Sequence, residues 1–253
     1  MFVFFRNSYN HTTLAAKPGD EAALIRMARQ LPPTLSVIAG MVDLTGFFLL
    51  GHIFTAHVTG NLVIASAVAV QGGLTNPVQI LAIPVFIVAL ALVWLITRIT
   101  GLKGAALVRL LMMVQFLLLA SVQVFCVIAA PLSNPHTLLA KVAALTAVSA
   151  MACQYAMLRL ALPKAISTAV MTGNLTTTVL GVMDTLSCGH PLMSTDDIRL
   201  KQSLCLLLGF LLGCVIAAIA ILTIGHWAWL LPTTLAAIVA VQPEIGAGDH
   251  DVA

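Results

Sequence analysis

The 253-residue chain carries twelve basic and nine acidic side chains, so charged residues make up 8% of it, against about 25% in a typical soluble protein. With hydrophobic residues at 60%, so few charges cannot cover a water-facing surface, which excludes a soluble fold. The net charge of +3 comes without a basic stripe and excludes a nucleic-acid partner, while five scattered cysteines without a C-x-x-C pair give no disulfide frame and no metal site.

Residues 1–30 hold Arg6, Lys17, Arg26 and Arg29 and are expected to be a cytoplasmic tail. The apolar start, Met1 to Phe5, is too short for the core of a signal peptide and has no basic flank before it. Residues 20–31 begin with two acids suited to a helix start, and Ala22, Leu24, Ile25, Ala28 and Leu31 share one side. That pattern predicts a short interfacial helix, with a frayed basic tail as the alternative.

A bilayer span takes about 20 apolar residues in a row. Six runs meet that length or come close: 31–51, 77–98, 105–130, 137–158, 200–224 and 226–242. Two shorter runs, 58–71 and 165–183, are broken near their starts by Thr59-Gly60-Asn61 and Thr172-Gly173-Asn174. The excess of Lys and Arg in cytoplasmic loops decides between topologies. If all eight runs crossed, Arg98, Lys103, Arg109, Arg159 and Lys164 would face outside. If the two short runs dip in and return, eleven of the twelve basic residues are cytoplasmic and only Lys141 is outside. The expected fold is therefore an all-α integral membrane protein of six transmembrane helices plus two short re-entrant or broken helices, with both termini cytoplasmic. The tail 244–253 is polar and acidic and is expected to be disordered.

The two short segments repeat each other. T-A-x-x-T-G-N-L occurs at Thr55 to Leu62 and again at Thr168 to Leu175. This divides the chain into two homologous membrane halves, 31–130 and 137–243. Three crossings per half make the repeat inverted, which brings equivalent segments toward each other from opposite sides near the midplane. Glycine in the motif suits a close backbone approach, and Thr and Asn suit the capping of a helix whose first N–H groups lack partners. Thr59 with Asn61, and Thr172 with Asn174, thus fit the starts of half-helices whose positive ends face a polar solute. Tight helix packing by small and polar residues accounts for the same pattern equally well.

Asp43 is the one acid in the middle of a long apolar run. An Asp at mid-helix in a bilayer costs roughly 2.5–3.5 kcal/mol even on the lower scales, so it requires a partner, a cavity or a proton path. Candidate partners are Arg109, the motif hydroxyls, His52 and His57. Proton or cation coupling is the functional reading, and a hydrogen-bonded helix lock is the structural one. Ala156 occupies the matching place in the second half, so any site is asymmetric. His52 and His57 lack the spacing of a helical metal pair and are expected to be interfacial. Gln115, Gln123 and Gln154 suggest a polar interior seam, with plain interhelical hydrogen bonding as the favoured alternative. No catalytic constellation is present, so no enzyme and no cofactor are expected.

Residues 40–62 resemble the signature of the YoaK family of uncharacterised bacterial multi-pass membrane proteins. Its G-x-x-D span followed by F-T-x-x-x-T-G-N is matched at Gly40, Asp43, Phe54, Thr55, Thr59, Gly60 and Asn61. The second half resembles the family's Q-N and T-x-x-x-T-G-N block at Gln154, Thr168, Thr172, Gly173 and Asn174, with Tyr155 where the family has Asn. The resemblance covers about 30–243. It implies a bacterial inner-membrane protein of about six spans and no established substrate. The residues themselves lead to a small secondary transporter or permease for an unknown small solute or ion. Asp43 would be its coupling or gating group, and Thr59, Gly60, Asn61, Gln154, Thr172, Gly173 and Asn174 would line the site. The alternative is a non-transporting scaffold in which the same residues hold helices together. The lipid bilayer is the expected surrounding, with room for an oligomer.

Overall fold

A computed structural model describes residues 18–72, 76–129, 137–188 and 194–242, and every regular element among them is helical. The order is α1 (Pro18–Leu49), α2 (Gly60–Val70), α3 (Pro77–Thr100), α4 (Gly104–Ala129), α5 (Leu138–Ala161), α6 (Met171–Cys188), α7 (Ser194–Ile224), a 3₁₀ turn (Gly225–Trp229) and α8 (Leu230–Val241). Of the tails expected at 1–30 and 244–253, residues 1–17 and 244–253 lie outside the described residues. Residues 20–31 do not form a separate interfacial helix. They are the first turns of α1, which continues through Pro32 and Pro33.

Five helical stretches are long and apolar enough to cross a membrane: Leu24–Leu49, Pro77–Thr100, Gly104–Ile128, Leu138–Ala161 and Ile198–Val241. The chain is a multi-pass helical membrane protein. The last stretch contains α7, the 3₁₀ turn and α8, and it bends at Gly225, whose φ of 57° is left-handed and cannot continue an α-helix. α2 has eleven residues. At 1.5 Å per residue it is about 16 Å long, roughly half the hydrocarbon thickness.

The first helix of each sequence half packs against the third helix of the other: α1 on α7, and α5 on α3. The α1–α7 seam is backbone on backbone. A Cβ on Gly40 would lie 2.2 Å from the Phe210 carbonyl oxygen, and one on Gly213 would lie 2.2 Å from that of Val37. Ser36 adds a hydrogen bond from its hydroxyl to the Leu206 carbonyl at 2.6 Å. Gly209 and Gly213 form a G-x-x-x-G pair, the spacing that lets membrane helices meet this closely. α5 is the central element, with Ala143, Ala144, Ala147, Met151 and Gln154 all buried. α3 is an outer helix, with Ile87, Val88, Leu92 and Trp94 exposed for lipid.

Candidate functional site

The site begins where α1 ends. Gly51 (φ 84°) and His52 (φ 61°) reverse the chain, and the His52 amide closes the helix by donating to the Phe47 carbonyl at 2.9 Å. A left-handed backbone at a residue with a Cβ is uncommon and is held here by tertiary contacts. The His52 carbonyl accepts from the Gln79 side chain at 3.1 Å, and the Gly51 carbonyl accepts from the Asn76 side chain at 3.4 Å. The excursion from 51 to 76 therefore leaves and returns at one point.

From His52 the first motif loop, residues 53–59, runs back along α1. Gly46 makes room for it, since a Cβ there would lie 2.9 Å from Thr55 Cγ2. The loop reaches Asp43, about 9 Å of helix rise below the end of α1. Asp43 is 3% exposed. Its Oδ1 accepts from the Thr55 amide (2.8 Å), the Thr55 hydroxyl (3.2 Å) and the Ala56 amide (2.6 Å). Its Oδ2 accepts from His57 Nδ1 at 2.5 Å. Of the candidate partners, the Thr55 hydroxyl and His57 are the ones used. The bonds are charge-assisted, each worth about 1.5–3 kcal/mol, which offsets the cost of an acid at this depth. His57 lies in the connection between spans. Its hydrogen bond to Asp43 raises its pKa above 6.5, burial opposes the rise, and the carboxylate charge adds to it.

Asn61 clamps the same loop. Its side-chain oxygen accepts from the Phe54 amide at 2.7 Å and its side-chain nitrogen donates to the Phe54 carbonyl at 2.8 Å. This corrects the expectation of a capping motif. Thr59 makes no capping hydrogen bond. The first α2 amides, at Gly60, Asn61 and Leu62, donate to the carbonyls of His57, Val58 and Thr59. With those amides engaged, α2 offers no free positive end to a solute.

The second motif loop, residues 165–170, has the same clamp at the same spacing: the Asn174 side chain donates to the Ser167 carbonyl at 3.1 Å. Gly60 and Gly173 serve one purpose, since a Cβ on either would lie 2.9 Å from a side-chain carbon of the loop it follows, Phe54 and Val170 respectively. Thr59 and Thr172 are exposed, whereas Asn61 and Asn174 are buried.

The two loops converge on α5. Gln154 donates to the Thr168 hydroxyl of the second loop at 3.4 Å and to the Leu35 carbonyl of α1 at 3.1 Å. The next residue, Tyr155, donates its hydroxyl to the Ala56 carbonyl of the first loop at 3.1 Å. Gln115 on α4 backs this arrangement by donating to Gln154 Oε1 at 2.7 Å. Gln115 Oε1 and both amide atoms of Gln123 are buried without a partner among the described residues. The structure thus brings Asp43, Asn61, Gln154 and Asn174 to one polar region and leaves Thr59 and Thr172 at its outside. Sequence reasoning missed Tyr155 and underrated His57. The signal for Tyr155 was its position beside Gln154.

A family model described as a protein of unknown function (DUF1275) matches residues 33–242, and the chain belongs to that family. No curated protein matches it, and no solved structure does. The match spans both halves and includes every residue of the site described above.

Proposed function

For this member of the DUF1275 family we propose a small secondary transporter or permease, built from two inverted repeats, in which Asp43 is the coupling or gating group. The observation that carries this reading is the state of Asp43: a buried carboxylate that holds the first motif loop through backbone amides and His57. Protonating it removes the charge those amides are organised around. The loop then loses its strongest anchor, and access to the polar region changes with the proton. The solute would sit where the two loops meet α5, beside Asp43, Asn61, Gln154 and Asn174, with Thr59, Gly60, Thr172 and Gly173 at the rim.

Several features support six crossings and the inverted repeat. The excursion 51–76 starts and ends at one point, as a re-entrant segment does. Left-handed glycines, Gly101 (φ 64°) and Gly225 (φ 57°), follow α3 and α7, the matching helices of the two halves. The 3₁₀ turn and α8 together rise about 28 Å, enough for a sixth crossing. The exchanged packing of α1 on α7 and α5 on α3 fits a two-fold relation between the halves. The positive charges support cytoplasmic termini, and on this reading the membrane is the bacterial inner membrane.

One set of observations favours a non-transporting scaffold: Asp43, Asn61 and Asn174 all spend their hydrogen bonds on the protein's own loops. A panel of labelled solutes offered to membrane vesicles, with and without a proton gradient, separates the two. Gradient-driven uptake that Asp43→Asn removes while the protein still inserts is the expected result. Uptake unchanged by that substitution overturns the coupling role. No gradient-driven uptake, with Asp43→Asn lowering only abundance and thermal stability, identifies the scaffold.

A further inference from the structure

We propose that His57 is the proton conduit of Asp43, the group through which the buried carboxylate exchanges its proton with the outside of the protein. The proposal rests on the reading that Asp43 changes protonation state, and it assigns the route. The two oxygens of Asp43 are not equivalent. Oδ1 is covered by four donors, the Thr55 amide and hydroxyl and the Ala56 and His57 amides, none of which is acidic enough to relay a proton. Oδ2 faces the imidazole of His57 at 2.5 Å. Exposure falls across the pair, from 32% at the His57 side chain to 5% at that of Asp43.

Among the described residues, the groups packed near the pair do not offer another path. On α7, Phe210 lies edge-on to the His57 ring with centroids 5.1 Å apart. Among the described residues, Tyr155 on α5 and Cys214 on α7 also lie within electrostatic reach of Asp43. The Tyr155 hydroxyl is committed to the Ala56 carbonyl and the Cys214 thiol to the Gly40 carbonyl. Arginine and lysine take no part in the hydrogen bonds of Asp43 among the described residues.

The step balances on the imidazole alone. Asp43 Oδ2 holds the neutral ring as the Nδ1–H tautomer. Nε2 takes a proton from hydronium, leaving water, while Nδ1 releases its own to Oδ2. The products are a neutral carboxylic acid and the Nε2–H tautomer, and the reverse sequence returns the proton. Imidazole is suited to this because its two nitrogens donate and accept independently near neutral pH.

Infrared spectroscopy after a pH jump, on the full chain in lipid bilayers, tests the route. The protonated-carboxyl band that vanishes in Asp43→Asn reports Asp43 directly and needs no transported solute. His57→Gln keeps a donor toward Oδ2 but cannot relay, and it should slow appearance of the band by about 100-fold or more. His57→Ala should be slow alone and recover with added imidazole, which a purely structural role would not produce. A band that rises in His57→Gln as fast as in the native chain overturns the proposal, as does the absence of any Asp43 band in the native chain across the pH range. Normal uptake by Asp43→Asn would sink the coupling role and leave this route standing, so the two failures are distinguishable.

Discussion

The two motif loops share a frame and differ in charge. Each is given room by a half-buried glycine that follows it and clamped by an asparagine that reaches seven residues back, Asn61 to Phe54 and Asn174 to Ser167. Only the first loop is wrapped around a carboxylate. At the position of Asp43 the second half has Ala156, at that of His57 it has Val170, and its Thr168 hydroxyl is met by the neutral amide of Gln154. The Thr-Gly-Asn frame occurs twice, and the ionisable pair occurs once. Under the proposed coupling role the loop that responds to a proton would be the first, and Gln154 and Tyr155 join the two loops through α5.

The comparison breaks most sharply at Asp43. Asp43→Ala leaves the Thr55 and Ala56 amides and His57 without their acceptor, a loss of roughly 3–5 kcal/mol on the scale of broken buried ion pairs. Melting of the purified protein in detergent should show the largest drop of any single substitution in either loop. Next come the clamps. Asn61→Ala removes two hydrogen bonds to Phe54 and Asn174→Ala removes one to Ser167, so the first should cost about 1–3 kcal/mol and the second about half of that, read by the same melts.

A smaller effect comes from pH. The His57 pKa is raised in the folded protein, so its contribution is fully present below 6.5 and is lost as pH rises through the folded value. Thermal stability of the native chain should fall over that rise. His57→Gln should flatten the fall, and an unchanged slope would show that the pair does not titrate there. Smallest are Thr59→Ala and Thr172→Ala: both residues are exposed, and both melts should stay within about 0.5 kcal/mol of the native chain.

Much of this was legible in the sequence because lipid imposes long apolar runs and makes rare polar residues conspicuous. The multi-pass helical class and the isolation of Asp43 followed from that. The use of the motif did not. Thr-Gly-Asn before a helix has the composition of a cap, yet Asn61 bonds backward into the loop and Thr59 faces out, because the loop's own carbonyls already engage the first α2 amides. Composition cannot tell which side of Asn61 holds the unsatisfied backbone. The extension of α1 through Pro32 and Pro33 was hidden for a similar reason, since proline normally signals a break. The partner of Asp43 was equally unreadable: His57 is fourteen residues away and meets it only because the chain reverses at Gly51.

The central claim is that the charge of Asp43 holds the first loop and not the second. Hydrogen exchange at individual amides, in the native chain and in Asp43→Asn, tests it most directly. Exchange at Thr55 and Ala56 should accelerate in the variant, while Thr168 and Ala169 keep their native rates. Equal protection of Thr55 and Ala56 in both proteins, or loss of protection in both loops together, would contradict it.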